Sequence, residues 1–187
     1  LFGGAVYKDK VFMPVQNKPK IMVLDTVTSN SHYIDSEWRY KKRKVVDGLP
    51  FCRKDSTTIG TNYYFVVCND NAVAKLNMQT EELSYFDVNE CLDGLRMMCE
   101  GDGGFWISEW GRPSIIKWNE EQGVIDKQSY YSSSNQVFRT GEMIFDDKIW
   151  LFPTVGLDVL AYSEKSKQWD NRTSFLRYGS EIREKKH

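Results

Sequence analysis

Residues 139–173, RTGEMIFDDKIWLFPTVGLDVLAYSEKSKQWDNRT, have the layout of four short strands with a turn after each, and three earlier stretches share that layout. Internal repetition of this kind restricts a chain to a few architectures, so it is read before any single residue. Gly3 to Pro14, GGAVYKDKVFMP, falls on Gly141 to Phe152, GEMIFDDKIWLF, with Gly, Asp, Lys and an aromatic in step. The aromatic of the second strand recurs as Phe12, Phe65, Trp106 and Trp150, at spacings of 53, 41 and 44 residues. A polar residue closing the third strand recurs as Asp25, Asn77, Asn119 and Ser163. It follows the aromatic by 13, 12, 13 and 13 residues, a constancy that chance does not supply.

Within the copies the strands are short, rich in Val, Ile, Phe and Tyr, and bounded by turn compositions. In the first copy they are expected near 5–7, 11–15, 21–24 and 32–34, and in the second near 57–60, 63–67, 72–76 and 83–86. No stretch of the first copy carries the i, i+3, i+4, i+7 stripe of a helix. Gly101, Gly103 and Gly104 predict a sharp turn in the third copy, and 109–113 (EWGRP) predicts the next one.

Four-stranded units, each too small to bury both its faces, predict an all-β fold: a β-propeller of four four-stranded antiparallel blades, alone or as part of a larger propeller. The blades are placed at about 1–36, 55–88, 95–131 and 139–173, within one domain of 1–175, with 176–187 a charged tail. The segments GGAVYKDKVF, GGFWIS and FDDKIWLF, followed by a hairpin such as VLDTVTSN, resemble kelch and related bacterial propeller repeats. That resemblance implies the architecture and carries no ligand with it.

Charge is balanced, with 25 basic against 26 acidic residues, so no nucleic acid or other polyanion is implied by the net field. No apolar run approaches the roughly 18 residues of a membrane span. The one dense basic run, Arg39 to Lys44, sits in a long connection at 37–55 and reads as a solvated strand edge that blocks sheet-to-sheet pairing. Cys52, Cys68, Cys91 and Cys99 form no CxxC pair and have no His at ligand spacing, so neither a metal nor a cofactor is expected. Read as packed free thiols, they favour a cytoplasmic setting, while a disulfide remains open for an exported protein. The chain begins at Leu1, which fits a removed leader or a piece of something longer. Asn171-Arg172-Thr173 matches a glycosylation acceptor.

In propeller geometry the loops joining second to third strands share a face with the connections between blades. That face gathers Asn17, Asn69, Glu109, Trp110 and Arg112, together with Arg96, Arg139 and Glu142 from the openings of first strands. An indole face beside groups of both charge signs suits a sugar or a peptide loop, so the expected function is a non-catalytic module binding a glycan or protein ligand. Two other classes stand beside it. One is a glycoside-processing enzyme using Glu100, Asp102, Glu109 and Glu142; the other is an interaction scaffold working through blade edges, with additional blades or a second subunit as its partners. The two histidines, His32 and His187, lie away from the face, which leaves no Ser-His or Cys-His pair to propose.

Overall fold

The computed structural model describes residues 3–15, 18–36, 52–67, 71–88, 94–109, 112–130, 139–155 and 158–172. All regular structure among them is β, in four separate four-stranded antiparallel sheets whose strands pair in chain order. Blade 1 holds β1 (Ala5–Tyr7), β2 (Lys10–Pro14), β3 (Lys20–Asp25) and β4 (Ser31–Asp35). Blade 2 holds β5 (Cys52–Ile59), β6 (Asn62–Val67), β7 (Ala72–Asn77) and β8 (Leu83–Asp87). Blade 3 holds β9 (Leu95–Gly101), β10 (Gly104–Glu109), β11 (Ser114–Asn119) and β12 (Gly123–Ser129). Blade 4 holds β13 (Arg139–Asp146), β14 (Lys148–Val155), β15 (Leu160–Ser163) and β16 (Gln168–Asn171). The first strands β5, β9 and β13 pack side by side, and the last strands carry the exposed residues, so the first strands line the axis and the last form the rim.

The polar anchors owe their spacing to turn chemistry. Asp25 Oδ1 accepts from the backbone N–H of Val27 and Thr28 at 3.0 and 2.8 Å, and Asn77 Oδ1 does the same for Gln79 and Thr80 at 3.0 and 3.1 Å. Asn119 Oδ1 accepts from Gln122 N at 2.7 Å, and Ser163 Oγ from Ser166 N at 3.4 Å. Four residues after each anchor the backbone turns left-handed, at Ser29, Glu81, Gly123 and Lys167, with φ of 59, 62, 75 and 56°. A short side-chain acceptor thus folds each outer hairpin and fixes its register. Inside blade 3 the turn residue is Gly103 (φ 71°), whereas Gly104 serves close packing: a Cβ there would meet the Trp118 carbonyl oxygen at 2.5 Å.

Three apolar cores lie between the four blades. Phe12, Ile21 and Val23 meet Tyr63, Phe65, Leu76 and Met78 between blades 1 and 2. Tyr64, Val66 and Val73 meet Leu95, Phe105, Ile107 and Trp118 between blades 2 and 3. Trp106 and Ile115 meet Met143, Ile149, Leu151 and Tyr162 between blades 3 and 4.

The pairing registers correct one sequence expectation. Lys10 opposes Asp25 and Asn62 opposes Asn77, so counting back from the anchors the equivalent of Phe12 is Tyr64, one residue before Phe65. Tyr64 faces the following blade, as Phe12 and Trp106 do, while Phe65 points back into the preceding one. A slip of one residue exchanges the faces of a strand, and the odd spacing of 12 was its trace. Trp150 occupies the same position in blade 4 but is half-buried, because no further blade lies beyond it among the described residues.

Candidate functional site

At the ends of the blades where second strands pass to third strands, blades 3 and 4 bury charge. The described buried polar side chains are Arg96, Ser108, Glu109, Ser114 and Asp158, and all five belong to this end of these two blades. Arg96 enters on β9, Glu109 closes β10, Ser114 opens β11, and Asp158 precedes β15. Enclosing ionised groups costs several kcal/mol each unless partners offset the lost hydration, so their concentration at one end sets it apart from the apolar cores.

Glu109 is the best-defined member. Its side chain is fully enclosed; Lys127 Nζ from β12 lies 2.7 Å from Oε2, and the Ser114 hydroxyl donates a short hydrogen bond to the same oxygen. Among the described residues Oε1 has no hydrogen-bond partner. One carboxylate oxygen is therefore held from two strands while the other keeps its lone pairs unused, an arrangement that presets orientation without exhausting acceptor capacity. Nearby, Ser108 Oγ accepts from Met97 N at 3.2 Å, and Asn171 Nδ2 donates to Asp158 Oδ1 at 3.3 Å.

At the opposite end of the axis a cleft of about 540 Å³ opens between β5, β9 and β13. Ser56, Cys99, Glu100, Asp102, Met143 and Ile144 contribute to its wall. Cys99 is a buried thiol, and Glu100 and Asp102 are exposed.

These positions divide the residues singled out from the sequence. Glu109 is central to the buried charge, and Arg112 is half-buried in the turn after β10. Glu142 is exposed on β13, and Arg139 opens that strand with its side chain outside the described set. Asn17, Asn69 and Trp110 lie outside the described residues, as do the basic run and the charged tail. The four carboxylates expected to converge do not: Glu100 and Asp102 sit at the β9–β10 hairpin, Glu109 at the far end of β10. Six residues of strand put roughly 17 Å between those ends, too far for a glycoside-cleaving pair. His32 lies on the outer strand β4, with Nε2 2.7 Å from Glu81 of blade 2.

Sequence reasoning missed the polar clasps that join neighbouring blades. Tyr64 Oη and Lys75 Nζ both reach Glu120 of the next blade, at 3.0 and 2.8 Å. Trp106 Nε1 and Lys117 Nζ reach Glu164 in the same way, the lysine at 3.1 Å. Burial, aided by Glu120, raises the Tyr64 hydroxyl pKa, and the hydrogen bond to Glu120 raises that of Lys75. The signal was in the repeat: Lys stands two residues before the anchor and Glu one after it in the next copy.

No protein-family model matches the chain, and no curated protein matches it by sequence. Solved structures do. A streptogramin B lyase superposes with a TM-score of 0.69 at 13% identity, over 91% of this chain and 53% of that one. Virginiamycin B lyase from Staphylococcus aureus gives 0.66 at 12%, over 91% and 54%. The extracellular domain of a one-component system from B. thetaiotaomicron gives 0.64 at 11%, over 91% and 22%. These are β-propellers. The chain is four blades of a β-propeller. It spans about half the length of the lyases it matches. The propeller reading from sequence therefore holds, while membership of the kelch family gains no support. The expectation of a purely non-catalytic binding module is corrected by the same finding, since structural neighbours of this propeller are lyases, one of them also known as a catalytically inactive histidine variant with quinupristin.

Proposed function

We propose that the chain belongs to a lyase-like catalytic propeller, with the chemistry at the loop ends of blades 3 and 4. A lyase breaks a bond by elimination, which requires a group to take up a proton as the leaving group departs. Glu109 is the residue assigned to that step, because Lys127 and Ser114 hold its Oε2 while Oε1 stays unengaged. That half-engaged carboxylate is the observation that carries the reading, since one oxygen is fixed by two partners while the other keeps the capacity to accept a proton. The described histidine, His32, stands at the rim, so histidine chemistry of the sort the neighbouring variant points to has no source at this face among the described residues.

The test is turnover of quinupristin, followed by liquid chromatography and mass spectrometry, by the wild type and by Glu109→Gln. The substitution keeps the shape and removes the proton acceptor; a fall of about 100-fold or more in kcat is expected, in the range that general acid–base groups contribute. Equal turnover by the two proteins, or none by the wild type, overturns the assignment.

A further inference from the structure

Three sulfur-bearing side chains meet between blades 3 and 4. Strand β9 carries Met97, Met98 and Cys99 in succession, and alternation along the strand sends Met97 and Cys99 to one face, toward blade 4. Met143 of β13 belongs to the same core cluster, all three residues are buried, and β9 packs beside β13. The pairing registers set their heights. Cys99 opposes Trp106, and in blade 4 Trp150, the counterpart of Trp106, opposes Ile144. Met143, one residue before Ile144, therefore stands level with Met98, midway between Met97 and Cys99. A thiol and two thioethers thus face one another across this junction.

Packing at these positions does not require sulfur. The places of Cys99 and Met143 are held by Ala5 and Ser56 between blades 1 and 2, and by Thr57 and Met98 between blades 2 and 3. No three His, Cys, Asp or Glu side chains converge among the described residues, so ions that prefer oxygen or nitrogen donors find no cage there. A thiolate with thioethers is the donor set of a soft ion such as Cu(I). The sequence expectation of no metal rested on Cys and His spacing and left thioethers out of account. Access is through the cleft between β5, β9 and β13: Cys99 and Met143 line it, and the exposed carboxylates Glu100 and Asp102 beside them favour entry of a cation.

We propose that Met97, Cys99 and Met143 form a three-sulfur site for Cu(I). Binding exchanges the thiol proton for the metal: Cys99 releases H⁺ to water, its thiolate binds Cu(I), and the two thioethers bind as neutral donors. Ion and thiolate cancel in charge, so the filled site stays neutral within a cluster otherwise built of residues such as Trp106, Ile115 and Leu160. A net charge enclosed there would be strongly disfavoured. The site lies toward the end of the blades opposite Glu109 and stands independently of the catalytic reading.

Anaerobic titration of the reduced 187-residue chain with Cu(I), against bicinchoninate as competing chelator, tests it. The wild type is expected to hold Cu(I) against the chelator, with sulfur as the only neighbours of the metal in X-ray absorption at the copper edge. Met97→Leu and Met143→Leu keep the apolar bulk and remove one thioether each. Each is expected to weaken retention by about tenfold or more, since even the outer partners of a bound metal are worth that much. Cys99→Ser is expected to abolish it. Far-UV circular dichroism checks that each variant keeps its sheets, and if Cys99→Ser does not fold, the two Leu variants decide. Copper held instead by Cys52, Cys68 or Cys91 would be indifferent to both Met changes. No retained copper, oxygen or nitrogen neighbours at the metal, or retention unchanged in the Leu variants overturns the proposal.

Discussion

The clasp at Glu164 offers a quantitative test of how the blades hold together. Its carboxylate lies 3.1 Å from Lys117 Nζ, with 16% and 15% of the two side chains exposed, and it also accepts from the Trp106 indole. Glu164→Gln keeps an oxygen for the indole but leaves the ammonium largely enclosed without an opposing charge. Breaking a fully buried pair costs about 3–5 kcal/mol, and the residual exposure here lowers that to roughly 2 kcal/mol. Lys117→Met added to Glu164→Gln removes the stranded charge, so the double variant is expected to be less destabilised than the two single losses combined, with a coupling of at least about 1 kcal/mol. Urea unfolding followed by both Trp fluorescence and circular dichroism measures this, coincident curves licensing a single free energy. Coupling below about 0.3 kcal/mol would show that the pair is an incidental surface contact and refute the reasoning.

Two further outcomes follow from the fold. Gly104→Ala is expected to cost about 2 kcal/mol or more in the same unfolding assay, because its Cβ would stand 2.5 Å from the Trp118 backbone oxygen, which does not yield as a side chain does; a loss under about 0.5 kcal/mol would contradict that packing. Although burial raises the Glu81 carboxyl pKa, hydrogen bonds from Lys10 and His32 overcome it and hold the pKa below its ordinary value, and Lys148 with Arg172 does the same for Asp170. Their stabilisation is complete above the unfolded carboxylate pKa of about 4 and is lost as pH falls through the lower folded values, so acid unfolding should begin at higher pH in Glu81→Gln than in the wild type.

Much of the fold was legible because the outer hairpins are written in local chemistry: Asp25, Asn77, Asn119 and Ser163 cap their own turns, so spacing alone located them. Phe65 was taken for Tyr64 because the run YYFVV in β6 is buried on both faces and shows no alternation by which to tell them apart. Trp150 reads like Trp106 in sequence, and only the neighbouring blade makes the difference in burial. Of the site, Glu109 was legible as a polar residue at a strand end. Its partners were not, since Ser114 and Lys127 reach it across the sheet, five and eighteen residues away. Glu100 and Asp102 were grouped with it because nearness in sequence hid the fact that β10 carries the chain to the other end of the blade.

The mass of the product is the most direct measurement on the catalytic reading. Elimination opens or divides a substrate without adding anything to it, so products formed from quinupristin are expected to sum to the mass of the substrate and to carry no label from ¹⁸O water. Products heavier by one water, with the label incorporated, would identify hydrolysis and contradict a lyase-like propeller.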